Sequence, residues 1–129
     1  MNKKTLFPNI DLADAEYRAF EMKNKILTIY FSSWDACIIR MVFSNPIQFF
    51  YKLGDIVSDA YEILDNSPTL NASLSLKYEK IPSNHPFKLY QIVDIQDFPF
   101  IEVIAEKTTL FKDNKTMGMT HTQRLDTID

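Results

Sequence analysis

The chain has 129 residues, of which 46% are apolar and 13% aromatic, and this composition predicts a single folded domain with a hydrophobic core rather than a disordered chain. Its two glycines, Gly54 and Gly118, are too few for the glycine-rich loops that hold phosphate groups in nucleotide-binding proteins. The net charge of −3 is uneven, because residues 53–106 hold nine carboxylates against three lysines; such a surface repels nucleic acid and favours a basic protein partner, although it also fits an ordinary solvated surface.

The first half of the chain is predicted to form β-strands. An N-terminal segment, residues 1–16, precedes two strand-forming runs, YRAFEMK and KILTIYFS, which flank the polar dipeptide Asn24-Lys25 and so predict a β-hairpin. The runs ACIIRMVF, IQFFYKL and DIVSDAYEIL follow, separated by turn-forming residues. Consecutive strands of this kind favour antiparallel pairing.

One helix is predicted over about residues 68–80. Ser67 suits the N-cap position, and Pro68 suits the first turn, where its missing N–H costs nothing. Apolar side chains recur from Leu70 at four-residue spacing and give the helix one apolar side.

Two further apolar runs, FKLYQIVDIQ and FIEVIAEKTTL, predict a final hairpin whose loop is residues 97–99. The last residues, 112–129, have no periodicity and are predicted to be a mobile tail. The elements together predict a single α+β domain over residues 17–111, mainly an antiparallel meander of about six strands with one principal helix.

The register of the final hairpin decides which carboxylates meet. With a loop of three residues, one face of the hairpin becomes almost wholly apolar, and a buried apolar face is what fixes strand register. On the other face the expected pairs are Asp94 with Glu102, Ile92 with Ile104 and Tyr90 with Glu106.

Two interpretations of this second face stay open. The facing carboxylates are either hydrated or paired with a neighbouring cation, or they await a basic partner protein that the apolar centre anchors. The partner-binding candidates are therefore Tyr90, Ile92, Asp94, Glu102, Ile104 and Glu106, with a second acidic cluster at Asp55, Asp59 and Glu62.

Catalysis and metal binding have little support in the sequence. Paired carboxylates also occur in glycosidases, but those lie in a sugar-sized cleft that a small meander does not supply. His85 and His121 have no cysteine or carboxylate at metal-ligand spacing, and Cys37 lies in an apolar run, which is typical of a small hydrophobic residue. We therefore expect no enzymatic activity, no metal and no cofactor.

The sequence also predicts a cytoplasmic protein that does not bind membranes. It has one cysteine, and no apolar run reaches the length of a signal peptide or of a membrane span.

A cluster of aromatic residues leaves an alternative function open. The alternative is a carrier of small apolar ligands, with an aromatic-lined cavity inside a curled sheet. The same side chains would also serve as ordinary core. They are Phe31, Trp34, Phe43, Phe49, Phe50 and Tyr51.

Several segments resemble a known group of proteins. The segments are SSWD at 32–35, KLGDIVSDAYEI at 52–63, the helix start NSP at 66–68 and NHPFKLYQIVDI at 84–95. They resemble small bacterial proteins grouped as YxiG-like, which are encoded near polymorphic toxins, and immunity proteins of contact-dependent growth inhibition systems. The resemblance covers roughly residues 15–107 and brings no defined set of functional residues with it.

This resemblance implies a cytoplasmic immunity protein that binds the toxic C-terminal domain of a cognate effector and neutralises it by stoichiometric occlusion. The implied partner is a protein toxin domain, and a basic one matches the acidic middle of this chain. A nuclease is one class that fits, because its cleft is positively charged and attracts an acidic inhibitor.

Overall fold

The computed structural model describes residues 2–116 and 119–128, with side-chain positions for residues 2–113. Over these residues the chain forms eleven strands and one helix, which confirms the α+β class and the antiparallel meander. In chain order the elements are β1 (Lys3–Thr5), β2 (Ala15–Lys23), β3 (Ile26–Ser32), β4 (Ile38–Ser44), β5 (Gln48–Tyr51), β6 (Ile56–Val57), β7 (Asp59–Ile63), α1 (Pro68–Lys77), β8 (Lys88–Val93), β9 (Pro99–Ala105), β10 (Lys107–Thr116) and β11 (Met119–Ile128).

The strands form two curled antiparallel sheets. Sheet A has the order β1-β7-β8-β9-β5, and sheet B has the order β11-β10-β4-β3-β2-β6. The chain passes from sheet A to sheet B between β9 and β10, where the Glu106 amide donates to the Ser44 carbonyl at 3.0 Å. The two sheets therefore curl around one core as a half-barrel.

The main core lies between the two sheets. Alternate residues of β3 and β4 face it, as the period of two in their burial requires, and Phe31 and Phe43 are among its fully buried side chains. The N-terminal segment contributes to the same core through Leu6 and Phe7, and β1 pairs with β7. The predicted limits of the domain, residues 17–111, stay a prediction.

The helix α1 covers part of the outer face of sheet A. Ser67 is its N-cap, as predicted, and the Ser67 Oγ accepts a hydrogen bond from the Leu70 amide at 3.2 Å. Leu70 and Leu74 pack in a smaller second core with Ile104 of β9. The helix ends at Lys77, three residues before the predicted end.

The β2–β3 hairpin confirms the first predicted turn. Asn24 and Lys25 both have positive φ angles, 53° and 61°, as a two-residue turn between twisted strands requires. Lys23 consequently pairs with Ile26, and the alternation of the two strands continues from there.

The predicted register of the last hairpin is wrong. Gln91 rather than Asp94 lies opposite Glu102, and Leu89 rather than Ile92 lies opposite Ile104, with an irregularity between Ile92 and Val93. The apolar pattern predicted the wrong register because both faces of β8 and β9 are buried, one by sheet B and the other largely by α1.

The Asp94 side chain explains where this hairpin turns. Its Oδ1 accepts hydrogen bonds from the amides of Gln96 and Phe98, at 2.9 and 3.0 Å, so the turn occupies residues 94–98 instead of 97–99. Asp94 therefore leaves the strand and cannot face Glu102.

The chain beyond residue 111 continues as strands in the described part. The backbone of β10 pairs with β4 on one side and with β11 on the other. The predicted mobility of the tail 112–129 stays a prediction, and residues 117, 118 and 129 lie outside the described residues. In the described part of the chain, no helix has the length and apolar character needed to cross a bilayer.

Candidate protein-binding surface

Three of the predicted partner-binding residues are inside the protein. Tyr90 and Ile92 belong to the main core, and Ile104 belongs to the core beneath α1; each is at most 1% exposed. They stabilise the fold, and a partner has no access to them in this structure.

Two of the predicted carboxylates lie away from the others. Glu106 follows β9 and accepts a hydrogen bond from the Asn45 side chain, at the end of the molecule where the β2–β3 turn lies. Glu62 is half-buried between Lys4 on β1 and Tyr90 on β8. Neither carboxylate shares a surface with Asp94.

Asp59 and Asp94 do meet at one end of sheet A. Asp59 pairs with Val93, the residue before Asp94, and the Ser58 amide donates to the Val93 carbonyl at 2.8 Å. Asp55 lies just before β6, in the loop that connects it to β5. The turn 94–98 adds Asp97, which the sequence did not single out.

Two neighbouring loops at this end expose large apolar side chains. Leu53 is 95% exposed and Ile95 is 91% exposed, while Phe98 is 46% exposed. We call the group formed by Leu53, Asp55, Asp59, Asp94, Ile95, Asp97 and Phe98 the acidic loop surface. Apolar side chains in a cluster rimmed by charge are typical of protein interaction sites, whereas single exposed ones are ordinary.

Lys52 joins the two loops. Its amide donates to the Phe100 carbonyl at 2.8 Å, and its ammonium lies 5.9 Å from the centre of the Phe98 ring. The same ammonium lies 3.2 Å from the Glu102 Oε1, while the Gln91 amide donates to Oε2 at 3.0 Å. Glu102 is buried to 6% exposure, so its carboxylate positions Lys52 from below instead of facing a partner.

The backbone of the loop between β5 and β6 is held under strain. Leu53 has a φ of 45°, a left-handed conformation that a branched side chain adopts only at a cost. The next residue is a glycine, Gly54, because a Cβ at that position would overlap the ring of Phe100, which is fully buried. The loop therefore presents Leu53 to solvent in a fixed position.

Lys3 makes an ion pair with the acidic loop surface. Its ammonium lies 2.9 Å from the Asp97 carboxylate and 4.0 Å from the centre of the Tyr61 ring. Burial raises the pKa of the Tyr61 phenol, and the negative charges of Asp59 and Asp97 raise it further, while Lys3 acts in the opposite direction. Lys3 thus connects Asp97 of the turn 94–98 to Tyr61 of β7, the strand that also carries Asp59.

Another exposed apolar side chain lies on the turn between β3 and β4, outside the acidic loop surface. Trp34 is 70% exposed, and the turn beneath it is closed by the Ser33 amide, which donates to the Cys37 carbonyl at 2.8 Å. Asp35 accepts a hydrogen bond from the Ser33 hydroxyl and lies 3.0 Å from the Lys112 ammonium. These contacts lower the pKa of the Asp35 carboxyl to about 2, the Ser33 hydrogen bond being the larger cause.

The sequence did not indicate that the apolar side chains of the acidic loop surface are exposed. Ile95 was placed on a strand of the last hairpin and Phe98 in the loop 97–99, although Asp94 and Asp97 could have indicated the turn 94–98, because aspartate side chains accept backbone hydrogen bonds in turns. The sequence gives no sign that Leu53 is exposed, since leucine does not favour a positive φ.

The described residues show no cluster of three or more histidine, cysteine or acidic side chains that could hold a metal ion. Of the aromatic residues proposed to line a ligand cavity, Phe31 and Phe43 pack in the main core, and Trp34 faces solvent. The carrier hypothesis stays a prediction.

No protein-family model, curated protein or solved structure matches this chain. The resemblance to YxiG-like and immunity proteins accordingly stays a prediction.

Proposed function

We propose that this protein is a non-enzymatic binding protein that captures a basic partner protein through the acidic loop surface. The carrying observation is that Leu53 and Ile95 are both more than nine-tenths exposed on adjacent, tightly fixed loops. Burying each side chain on a partner is worth about 1.5–3 kcal/mol, which gives the surface a source of affinity besides charge.

Charge complementarity supports a basic partner. Asp55, Asp59 and Asp94 have no ion pair among the described side chains, whereas Asp97 is paired with Lys3. Carboxylates around an apolar centre accelerate association with a positively charged surface and disfavour acidic partners.

The specific form that we propose is a cytoplasmic immunity protein. In that role the chain occupies the active site of a toxic C-terminal domain in a one-to-one complex, and the toxin's basic cleft receives the acidic loop surface. The resemblance of the segments at 32–35, 52–63, 66–68 and 84–95 supports this form, and two of those segments include the exposed Leu53 and Ile95.

The test is calorimetry with the toxic domain encoded immediately upstream of this chain, at low and high salt. We expect tight one-to-one binding that weakens as salt rises. The double variant Leu53→Ser, Ile95→Ser should lose at least about 2 kcal/mol of binding free energy, roughly thirtyfold in affinity. Asp55→Lys should slow association.

Matched controls come from the helix end of the molecule. Leu76 is 71% exposed on α1, so Leu76→Ser removes a similar apolar side chain elsewhere, and Glu79→Lys reverses an exposed charge beyond the helix. Both controls should bind like the wild type.

Two results would contradict the proposal in different ways. If the double variant binds as tightly as Leu76→Ser, the acidic loop surface is not the binding site, but the immunity function is not contradicted. A folded, active toxic domain that does not bind at all would reject the immunity function and favour the apolar-ligand carrier, which predicts uptake of apolar dyes.

A further inference from the structure

The strand β2 has an open edge. The short strand β6 pairs with Ala15 and Glu16 only, so residues 18–23 have β3 on one side and, within the described chain, no strand on the other. An open edge with apolar side chains is a template for pairing with another strand.

The hairpin geometry shows which backbone groups point outward. In a two-residue hairpin the residues that flank the turn, Lys23 and Ile26, exchange both backbone hydrogen bonds. Glu21 therefore bonds to β3 as well, since this pattern recurs every second residue. The N–H and C=O groups of Phe20 and Met22 point toward the open edge.

The side chains of the same two residues are half-exposed over a shallow apolar pocket. Phe20 and Met22 are 51% and 54% exposed, although they lie opposite the buried Ile29 and Leu27 on the core-facing side of sheet B. The pocket beside them has a volume of about 200 Å³ and is completed by Pro46, Ile47 and Phe49, among others. A strand added to β2 would direct alternate side chains into this pocket.

We propose that the occupant of this edge is a second copy of the chain, with the two β2 strands paired antiparallel about a two-fold axis at Met22. In this arrangement Met22 faces Met22 of the other copy, and the outward backbone groups of each bond to the other. Each methionine side chain lies over the pocket. A two-fold axis makes the contact self-limiting, because the same patch is used on both copies.

Charge complementarity selects this register. With the axis at Met22, Glu21 of each copy lies opposite Lys23 of the other, and this pair type brings side chains closest because it is not hydrogen-bonded through the backbone. With the axis at Glu21, the two glutamates would face each other and repel. With the axis at Phe20, the overlap would run into the bulge between Tyr17 and Ala19.

The experiment is sedimentation velocity of the full chain over about a hundredfold range of concentration, since a dimer forms by mass action. We expect a concentration-dependent dimer for the wild type. Glu21→Lys and Lys23→Glu should each weaken dimerisation about tenfold or more, because each opposes like charges twice. The double variant Glu21→Lys, Lys23→Glu should restore the dimer.

The charge swap separates this interface from an effect on folding. Both side chains are exposed on the outer side of sheet B, so far-ultraviolet circular dichroism should be unchanged in all three variants. Met22→Pro removes an outward N–H that bonds to no residue of β3 and should give a folded monomer.

A wild type that stays monomeric throughout the range would overturn the inference. So would a dimer that persists in Met22→Pro, or single charge variants whose loss the double variant does not restore. None of these outcomes depends on the toxic domain, so the dimer and the immunity function fail or survive separately.

Discussion

The acidic loop surface and the turn at residues 33–37 both hold large apolar side chains in solvent, but different forces fix them. The loop that carries Leu53 is fixed by close packing of Gly54 on the buried ring of Phe100. The turn that carries Trp34 is fixed by hydrogen bonds of polar side chains, chiefly the buried Ser33 and the exposed Asp35.

This difference predicts different sensitivities. Close packing in a core does not depend on pH or salt, but one added methyl group disrupts it. Surface hydrogen bonds and ion pairs tolerate small changes in volume, but protonation and salt weaken them. Variants in the two regions should therefore differ both in size of effect and in response to conditions.

The largest effect is expected from Gly54→Ala. The new methyl group would overlap the Phe100 ring, and both the loop and the core would have to move. We expect a loss of about 2–3 kcal/mol in the free energy of unfolding, measured by urea denaturation at neutral pH. The loss should be the same at pH 5 and pH 7 and at low and high salt.

Leu53→Gly is the matched control in the same loop. Glycine relieves the positive φ at this position, so the variant should keep the wild-type stability or gain up to about 1 kcal/mol. The same variant should bind the partner less tightly, because the exposed side chain is gone. If Leu53→Gly were less stable than the wild type, the Leu53 side chain would stabilise the fold even though it is exposed, and the expected relief of strain would be wrong.

An intermediate effect is expected from Asp94→Ala. The variant leaves the amides of Gln96 and Phe98 without their acceptor, which should cost about 1–2 kcal/mol of unfolding free energy. Asp94→Asn retains an oxygen acceptor and should recover most of this loss in the same urea titration. Equal losses in both variants would mean that the negative charge, rather than the hydrogen bonds, holds the turn.

The two hairpins show how much of the fold the sequence could predict. Asn24 accepts a positive φ readily, and only one face of β3 points toward the core, so turn and alternation agree on one register. In β8 and β9, both faces are buried, so alternation contains no information about which residues oppose each other. The side chain of Asp94 decided the turn instead.

The candidate surface was predictable only in part. The closeness of Asp59 and Asp94 follows from the pairing of β7 with β8, which could not be predicted from the sequence. The exposure of Leu53 and Ile95 could not be predicted, because leucine and isoleucine are usually buried and because their exposure depends on where the turns begin and end.

The smallest effect is expected from Asp35→Asn, and it should depend on pH. The folded pKa of Asp35 is about 2, below its ordinary value of 3.8, so the ionised carboxylate stabilises the fold above about pH 4 and this contribution is lost as the pH falls toward 2. Because the side chain is partly exposed and screened, we expect at most about 1 kcal/mol at pH 6. The difference in unfolding free energy between wild type and Asp35→Asn should therefore shrink between pH 4 and pH 2.

This difference should also shrink in high salt at pH 6, because part of it comes from the ion pair with Lys112. Lys112→Met tests that part alone and should retain part of the pH dependence, since the Ser33 hydrogen bond also lowers the pKa of Asp35. A gap that persists unchanged at pH 2 would mean that the turn depends on the shape of the Asp35 side chain and not on its charge, and the contrast with the Gly54 loop would then lie in the size of the effect alone.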